Sequence, residues 1–118
     1  MPRFVILLHE MPPESERPTH WDLMLEAGGA LRTWALDEEP RATATIAALQ
    51  LADHRLAYLD YEGPVSGNRG AVTRVAAGSY ELLLDDTDRI VVRLEGEKVQ
   101  GELELVRVDG AMRWVVLM

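Results

Sequence analysis

Apolar residues along this chain fall into short runs of strand length, broken by clusters of Pro, Gly, Asp and Glu. The first run, within residues 3–9 (RFVILLH), is nearly continuous, the pattern of a strand covered on both faces. Residues 10–19 contain three prolines and three glutamates and read as an exposed loop. Residues 20–26 (HWDLMLE) alternate instead. Trp21, Leu23 and Leu25 share one face, and His20, Asp22, Met24 and Glu26 the other, because successive strand side chains point to opposite sides. The first set is expected to face the core. A turn at 27–29 (AGG) and a returning strand at 30–36 complete a hairpin.

Beyond residue 36 the pattern changes. Acidic residues precede an alanine-rich segment, and Thr43 or Thr45 is placed to cap a short helix reaching Leu51. Strands are then expected at 56–63, 72–75, 79–84, 89–95, 101–108 and 113–118, with a Gly-rich loop at 63–70 and turns at 85–88 and 109–112. About eight short strands with frequent turn signals predict an all-β fold with one short helix, a sandwich or a small closed or partly closed β-barrel. The 118 residues suit a single domain spanning 1–118.

Composition narrows the functional classes. Cysteine is absent, so disulfides and thiolate ligands are excluded, and any metal must be held by His, Asp or Glu. No run approaches the length of a membrane span. The apolar stretch near the start is short and is followed by His-Glu instead of small residues, which argues against a signal peptide and for a cytoplasmic protein. The net charge of −8 disfavours broad binding to a nucleic-acid backbone but leaves room for a local basic patch.

The polar face of residues 20–26 carries the candidate chemistry. His20 and Asp22 lie side by side at i and i+2, and His9 closes the preceding strand. If the intervening loop pairs the two strands, His9, His20 and Asp22 present two imidazoles and a carboxylate, a set that suits a divalent ion with open positions. The competing reading is a solvated strand face beside a histidine that merely ends a strand. His54, four residues before Tyr58, adds a possible second-sphere or phosphate-contacting group, and the Tyr58 hydroxyl a donor to an oxyanion; alternatively, the two are a helix-end residue and a half-buried strand aromatic.

Several collinear motifs then point to a family. The segments RFVILLHE, THWDLMLEAGGALRTWAL, ADHRLAYLDYEG, GNRGAV, GSYEL and GEKVQGELELVRV resemble, in order, the 3′-phosphoesterase domain of bacterial DNA ligase D. The resemblance implies a small β-barrel with a metal site on an outer concave face, removing a terminal 3′-ribonucleoside or 3′-phosphate in DNA repair, with manganese preferred over zinc or other ions. It assigns His9, His20 and Asp22 as metal ligands, and His54 and Tyr58 as catalytic groups contacting the phosphate.

Two departures qualify that assignment. Met24 stands where the family has an arginine two residues after the metal-binding aspartate, and Asp37, Glu38 and Glu39 occupy the region of a family lysine. Arg69, in the Gly-rich loop, and Arg74 are candidate replacements for phosphate binding. The expected partner is thus a nucleic-acid 3′ end, against the adverse net charge. The alternatives are a small phosphoester substrate and a catalytically impaired metal- or protein-binding module contacting repair proteins. A ligand-binding barrel lined by Trp21, Trp34 and Trp114 is weaker, since each fits an inward strand position.

Overall fold

The computed structural model describes residues 1–109 and 112–118. Among them, nine strands form one antiparallel sheet in the order β1-β2-β3-β4-β9-β8-β7-β6-β5, and pairing of β1 with β6 closes it into a barrel. The strands are β1 (Arg3–Glu10), β2 (His20–Ala27), β3 (Ala30–Leu36), β4 (Thr45–His54), β5 (Gly63–Pro64), β6 (Ala71–Asp85), β7 (Arg89–Gly96), β8 (Gln100–Arg107) and β9 (Arg113–Leu117). The two-residue β5 lies outside the closed ring, paired only with the start of β6. Closure leaves the eight long strands without an open edge.

The β2–β3 turn follows directly from its glycines. Gly28 and Gly29 have φ of 61° and 83°, the left-handed pair that a two-residue hairpin turn demands.

Three elements differ from the sequence expectation. The alanine-rich segment is strand β4, not a helix. Its burial alternates, with Ile46 and Ala48 inward and Thr45, Ala47 and Leu49 exposed, and it is held between β3 and β9. Alanine's helix preference, a few tenths of a kcal/mol per residue, is overridden by this pairing and burial. Thr43 has a positive φ of 61° and caps nothing; its N–H donates to the carbonyl of Met118. Conversely, the strand expected at 56–63 is a 3₁₀ turn, Leu56–Leu59, followed by β5. Here Leu59 turns inward to bury against the sheet, which an extended path would not allow. Finally, the strands expected at 72–75 and 79–84 are one, β6. Its first half pairs with β1 and its second with β7, so the break read at residues 76–78 is spanned. The turn expected at 109–112 includes Gly110 and Ala111, which lie outside the described residues.

Two apolar clusters use the two faces of the sheet. The barrel interior is filled by Phe4, Ile6, Leu23, Leu25, Trp34, Trp114 and their neighbours, with Trp21 only half-buried at the rim. Trp34 and Trp114 pack edge to face at 5.8 Å between ring centres and are both buried in the core cluster. The second cluster lies on the outside: Val5, Leu7, Met24, Leu31, Leu59 and Val72. It explains why β1 reads as continuously apolar, since Phe4 and Ile6 face in while Val5 and Leu7 face this outer patch. Among the described residues, no helix is long and apolar enough to cross a membrane.

Candidate metal centre and anion cleft

The outer cluster is the floor on which the polar residues stand. In the β1–β2 register His9 lies directly opposite His20, and Leu7 opposite Asp22. The strand alternation places His9, His20 and Asp22 on the same side as Val5, Leu7 and Met24. That side is not solvated: His20 is 4% exposed and Asp22 1%. The reading of a solvated strand face therefore does not hold.

Each imidazole is oriented by a backbone carbonyl. His20 Nδ1 lies 2.9 Å from the Pro18 carbonyl oxygen, and His9 Nε2 lies 2.7 Å from that of Arg69. A carbonyl only accepts, so each of these nitrogens carries the proton. In the neutral rings the remaining nitrogens, His20 Nε2 and His9 Nδ1, then present lone pairs. Both face Asp22, at 3.1 Å from its Oδ1 and Oδ2 respectively. All three ligand atoms lie within 4.8 Å of one another. Lone pairs converging on a buried carboxylate repel unless a cation lies among them. His20 Nε2 and Asp22 Oδ1 are moreover buried without a hydrogen-bond partner, a cost of roughly 1–3 kcal/mol per group when nothing compensates it. The donor set fits a divalent ion with positions open on the solvent side, and the carbonyl-held imidazoles are the outer support such sites use.

Without an ion, a proton can play that part. The hydrogen bond to Asp22 raises the pKa of His9 above its ordinary value, against the opposing effect of burial. Burial pushes the Asp22 carboxyl up, but the adjoining His20 and His9 outweigh it and hold its pKa below the usual carboxylate value.

His9 and Asp22 open onto a cleft of about 440 Å³, whose walls include Met24, His54, Tyr58 and Arg69. His54 ends β4, and its Nδ1 donates to the carbonyl of Ala52 at 2.9 Å, which leaves Nε2 available. Tyr58 rides on the 3₁₀ turn with its ring 5.7 Å from that of His54. The structure thus brings His9, Asp22, His54 and Tyr58 to one cleft, with His20 buried against Asp22. Arg69 lines the same cleft, but its guanidinium folds back onto the Ser66 carbonyl at 2.7 Å. Arg74 lies opposite Leu7 on β6, donates to the Leu59 carbonyl at 3.3 Å, and is not among the residues lining the cleft.

Two basic cleft residues escaped the sequence reading: Arg17, from the loop between β1 and β2, and Arg55, directly after His54. Nothing in their local sequence marks them; only the convergence of loop and turn does. The Arg17 loop is tied down, with Met11 N–H donating to Thr19 Oγ1 at 3.0 Å and Asn68 donating to Glu14 at 2.9 Å. A wider depression of about 870 Å³, lined by Arg3, Arg93 and Gly101 among others, contains no histidine.

Residues 13–107 match the family described as the DNA ligase D 3′-phosphoesterase domain. The chain belongs to this family. Its relatives include the multifunctional non-homologous end joining DNA repair protein LigD of Mycobacterium tuberculosis, 33% identical over 95% of this chain and 15% of the relative. The LigD proteins of Mycolicibacterium smegmatis and Pseudomonas aeruginosa are 35% and 31% identical over 92% and 76% of this chain, and 16% and 12% of their own lengths. The chain therefore spans about 15% of the length of the curated relatives it matches. Within this 3′-phosphoesterase family member, Met24 has an evident local reason. It is 1% exposed and packs in the outer apolar cluster with Leu7 and Leu59, where a guanidinium would have to be buried.

Proposed function

We propose that this protein is a divalent-metal-dependent phosphoesterase that trims 3′ ends of nucleic acid, removing a 3′-phosphate or a 3′-ribonucleoside, in DNA end-joining repair in the cytoplasm. The reading rests on one observation above all: two carbonyl-oriented imidazoles and a buried carboxylate converge at the end of a cleft that also holds His54 and Tyr58. The family and the end-joining relatives supply the substrate class.

His9, His20 and Asp22 would hold the ion, with manganese the proposed one. When bound, such an ion supplies Lewis acidity toward a phosphoryl oxygen and a site for water. The chain's own groups do the rest. With both ring nitrogens protonated, His54 can stabilise charge on, or pass its Nε2 proton to, the leaving oxygen. The Tyr58 hydroxyl donates to the phosphoryl group and helps hold it in place. The buried apolar floor keeps bulk water from beneath the site, so its few charges act in a medium of low polarity.

The test is manganese-dependent release of phosphate from a 3′-phosphorylated oligonucleotide, with and without His20→Ala. Turnover by the native chain and its loss in the variant are expected. Absence of turnover across several metals and both 3′ ends would refute the enzymatic reading.

One feature favours a second reading, a catalytically impaired metal- or protein-binding module. Met24 occupies the cleft wall where the family resemblance expects an arginine, and Asp37, Glu38 and Glu39 add negative charge after β3. That module would still melt at a higher temperature with manganese, yet would show no rate above background.

A further inference from the structure

The arginines of this acidic chain are almost all neutralised. Arg3 pairs with Asp60, Arg32 with Asp85, Arg41 with Glu38 and Arg93 with Glu81, and Arg89, Arg107 and Arg113 also contact carboxylates. Arg69 and Arg74 donate to carbonyls. Among the described residues, only the guanidiniums of Arg17 and Arg55 have no hydrogen bond or ion pair. Both line the cleft onto which His9 and Asp22 open, whose wall also carries Asp53.

In a protein of net charge −8, acidic side chains outnumber basic ones and a partner for an exposed arginine is easily found. Two arginines left unpaired on the wall of a single cleft are therefore the exception. Met24, in the outer apolar cluster, leaves that cleft without the cation the family resemblance expects there. A guanidinium on an exposed wall can meet a phosphate without being buried first, and its planar fork fits two phosphate oxygens at once. The pinned loop that carries Arg17 reduces the disorder that binding has to remove.

We propose that Arg17 and Arg55 form the phosphate clamp of this protein and recognise the terminal phosphate of a nucleic-acid 3′ end. The proposal rests on reading the cleft as a phosphoesterase site and adds the residues that select its substrate. It moves the cation from the sheet, where the family resemblance expects it, to the rim formed by the β1–β2 loop and the residue after β4.

Binding separates the clamp from catalysis. The probe is a 5′-fluorescein-labelled single-stranded oligonucleotide ending in either a 3′-phosphate or a 3′-hydroxyl, followed by anisotropy in EDTA so that no turnover consumes it. The native chain is expected to prefer the 3′-phosphate. Arg17→Gln and Arg55→Gln should each weaken that binding about tenfold, the usual scale for one charge-assisted contact, and the double variant should abolish the preference. Arg55→Lys should keep the salt dependence but recover only part of the affinity. Arg89→Gln, which breaks an ion pair on β7, should change nothing, and melting temperatures of the two clamp variants should match the native protein. Equal binding of both ends by the native chain, or unchanged binding by the clamp variants, would overturn the proposal. Lost binding in the variants without any manganese-dependent turnover by the native chain would uphold the clamp and refute the hydrolase. Turnover that is indifferent to both substitutions would do the reverse.

Discussion

Asp22 is the residue on which the centre balances. It is almost fully buried, carries a negative charge, and has an imidazole against each oxygen. His9 and Asp22 together give the metal-free protein a definite pH response. His9 has a raised pKa, so its contribution to stability is complete below its ordinary value of 6.5 and is lost as pH rises through the raised one. Asp22 has a lowered pKa, so its contribution is present above the ordinary 3.8 and is lost as pH falls through the lowered one. Thermal melts in EDTA should therefore show this pair stabilising most between about pH 4 and 6.5, and Asp22→Asn should flatten that profile. Manganese should act with the opposite slope, because it needs both imidazoles deprotonated. Its shift in melting temperature is expected to be larger at pH 8 than at pH 5.5, and an equal shift at both would argue against imidazole ligation.

At the scale of elements, the centre divides between a rigid half and an attached half. The candidate ligands belong to β1 and β2, paired residue against residue in the closed ring, whereas Tyr58 depends on a single 3₁₀ turn fastened through Leu59. Leu59→Ala should cost about 2–4 kcal/mol of stability, the range for truncating a buried leucine. It should lower turnover while leaving manganese affinity within about twofold, since no ligand rests on the turn. Gly70 tests the other half. Its φ is +81°, and a Cβ there would lie 2.0 Å from the Glu10 carbonyl oxygen, so the two backbone segments must separate if a side chain is added. The neighbouring Arg69 carbonyl is what orients His9. Gly70→Ala should therefore destabilise by roughly 2 kcal/mol or more and, unlike Leu59→Ala, weaken manganese binding, as read from metal titrations of the melting temperature.

The whole molecule works against nucleic acid everywhere except at the cleft. Its charge is −8, its arginines are largely paired, and the stretch after β3 is acidic. Contact should be confined to the last phosphates of a strand. The affinity for a 3′-phosphorylated single strand should then fall with salt at a log–log slope of about −1 to −2, because each neutralised phosphate on a single strand contributes roughly −0.7. A slope steeper than about −4 would reveal an extended backbone-binding surface that this charge distribution does not provide.

Most strands, and the placing of His20 and Asp22 on one face, were legible in the sequence because both are local. Alternation in residues 20–26 put His20 and Asp22 on one face, and the twin glycines at 28–29 required a hairpin whatever lay around them. The family resemblance, too, is carried by contiguous motifs. Tertiary structure alone decided the rest. It made β4 a strand because β3 and β9 offered pairing on both sides, turned residues 56–59 into a 3₁₀ turn because Leu59 had an apolar patch to cover, and buried the face that alternation left ambiguous. It also singled out Arg17 and Arg55, which lie far apart in the sequence. Whether a charged side chain finds a partner depends on which strands the closed barrel sets side by side, and no local spacing records that.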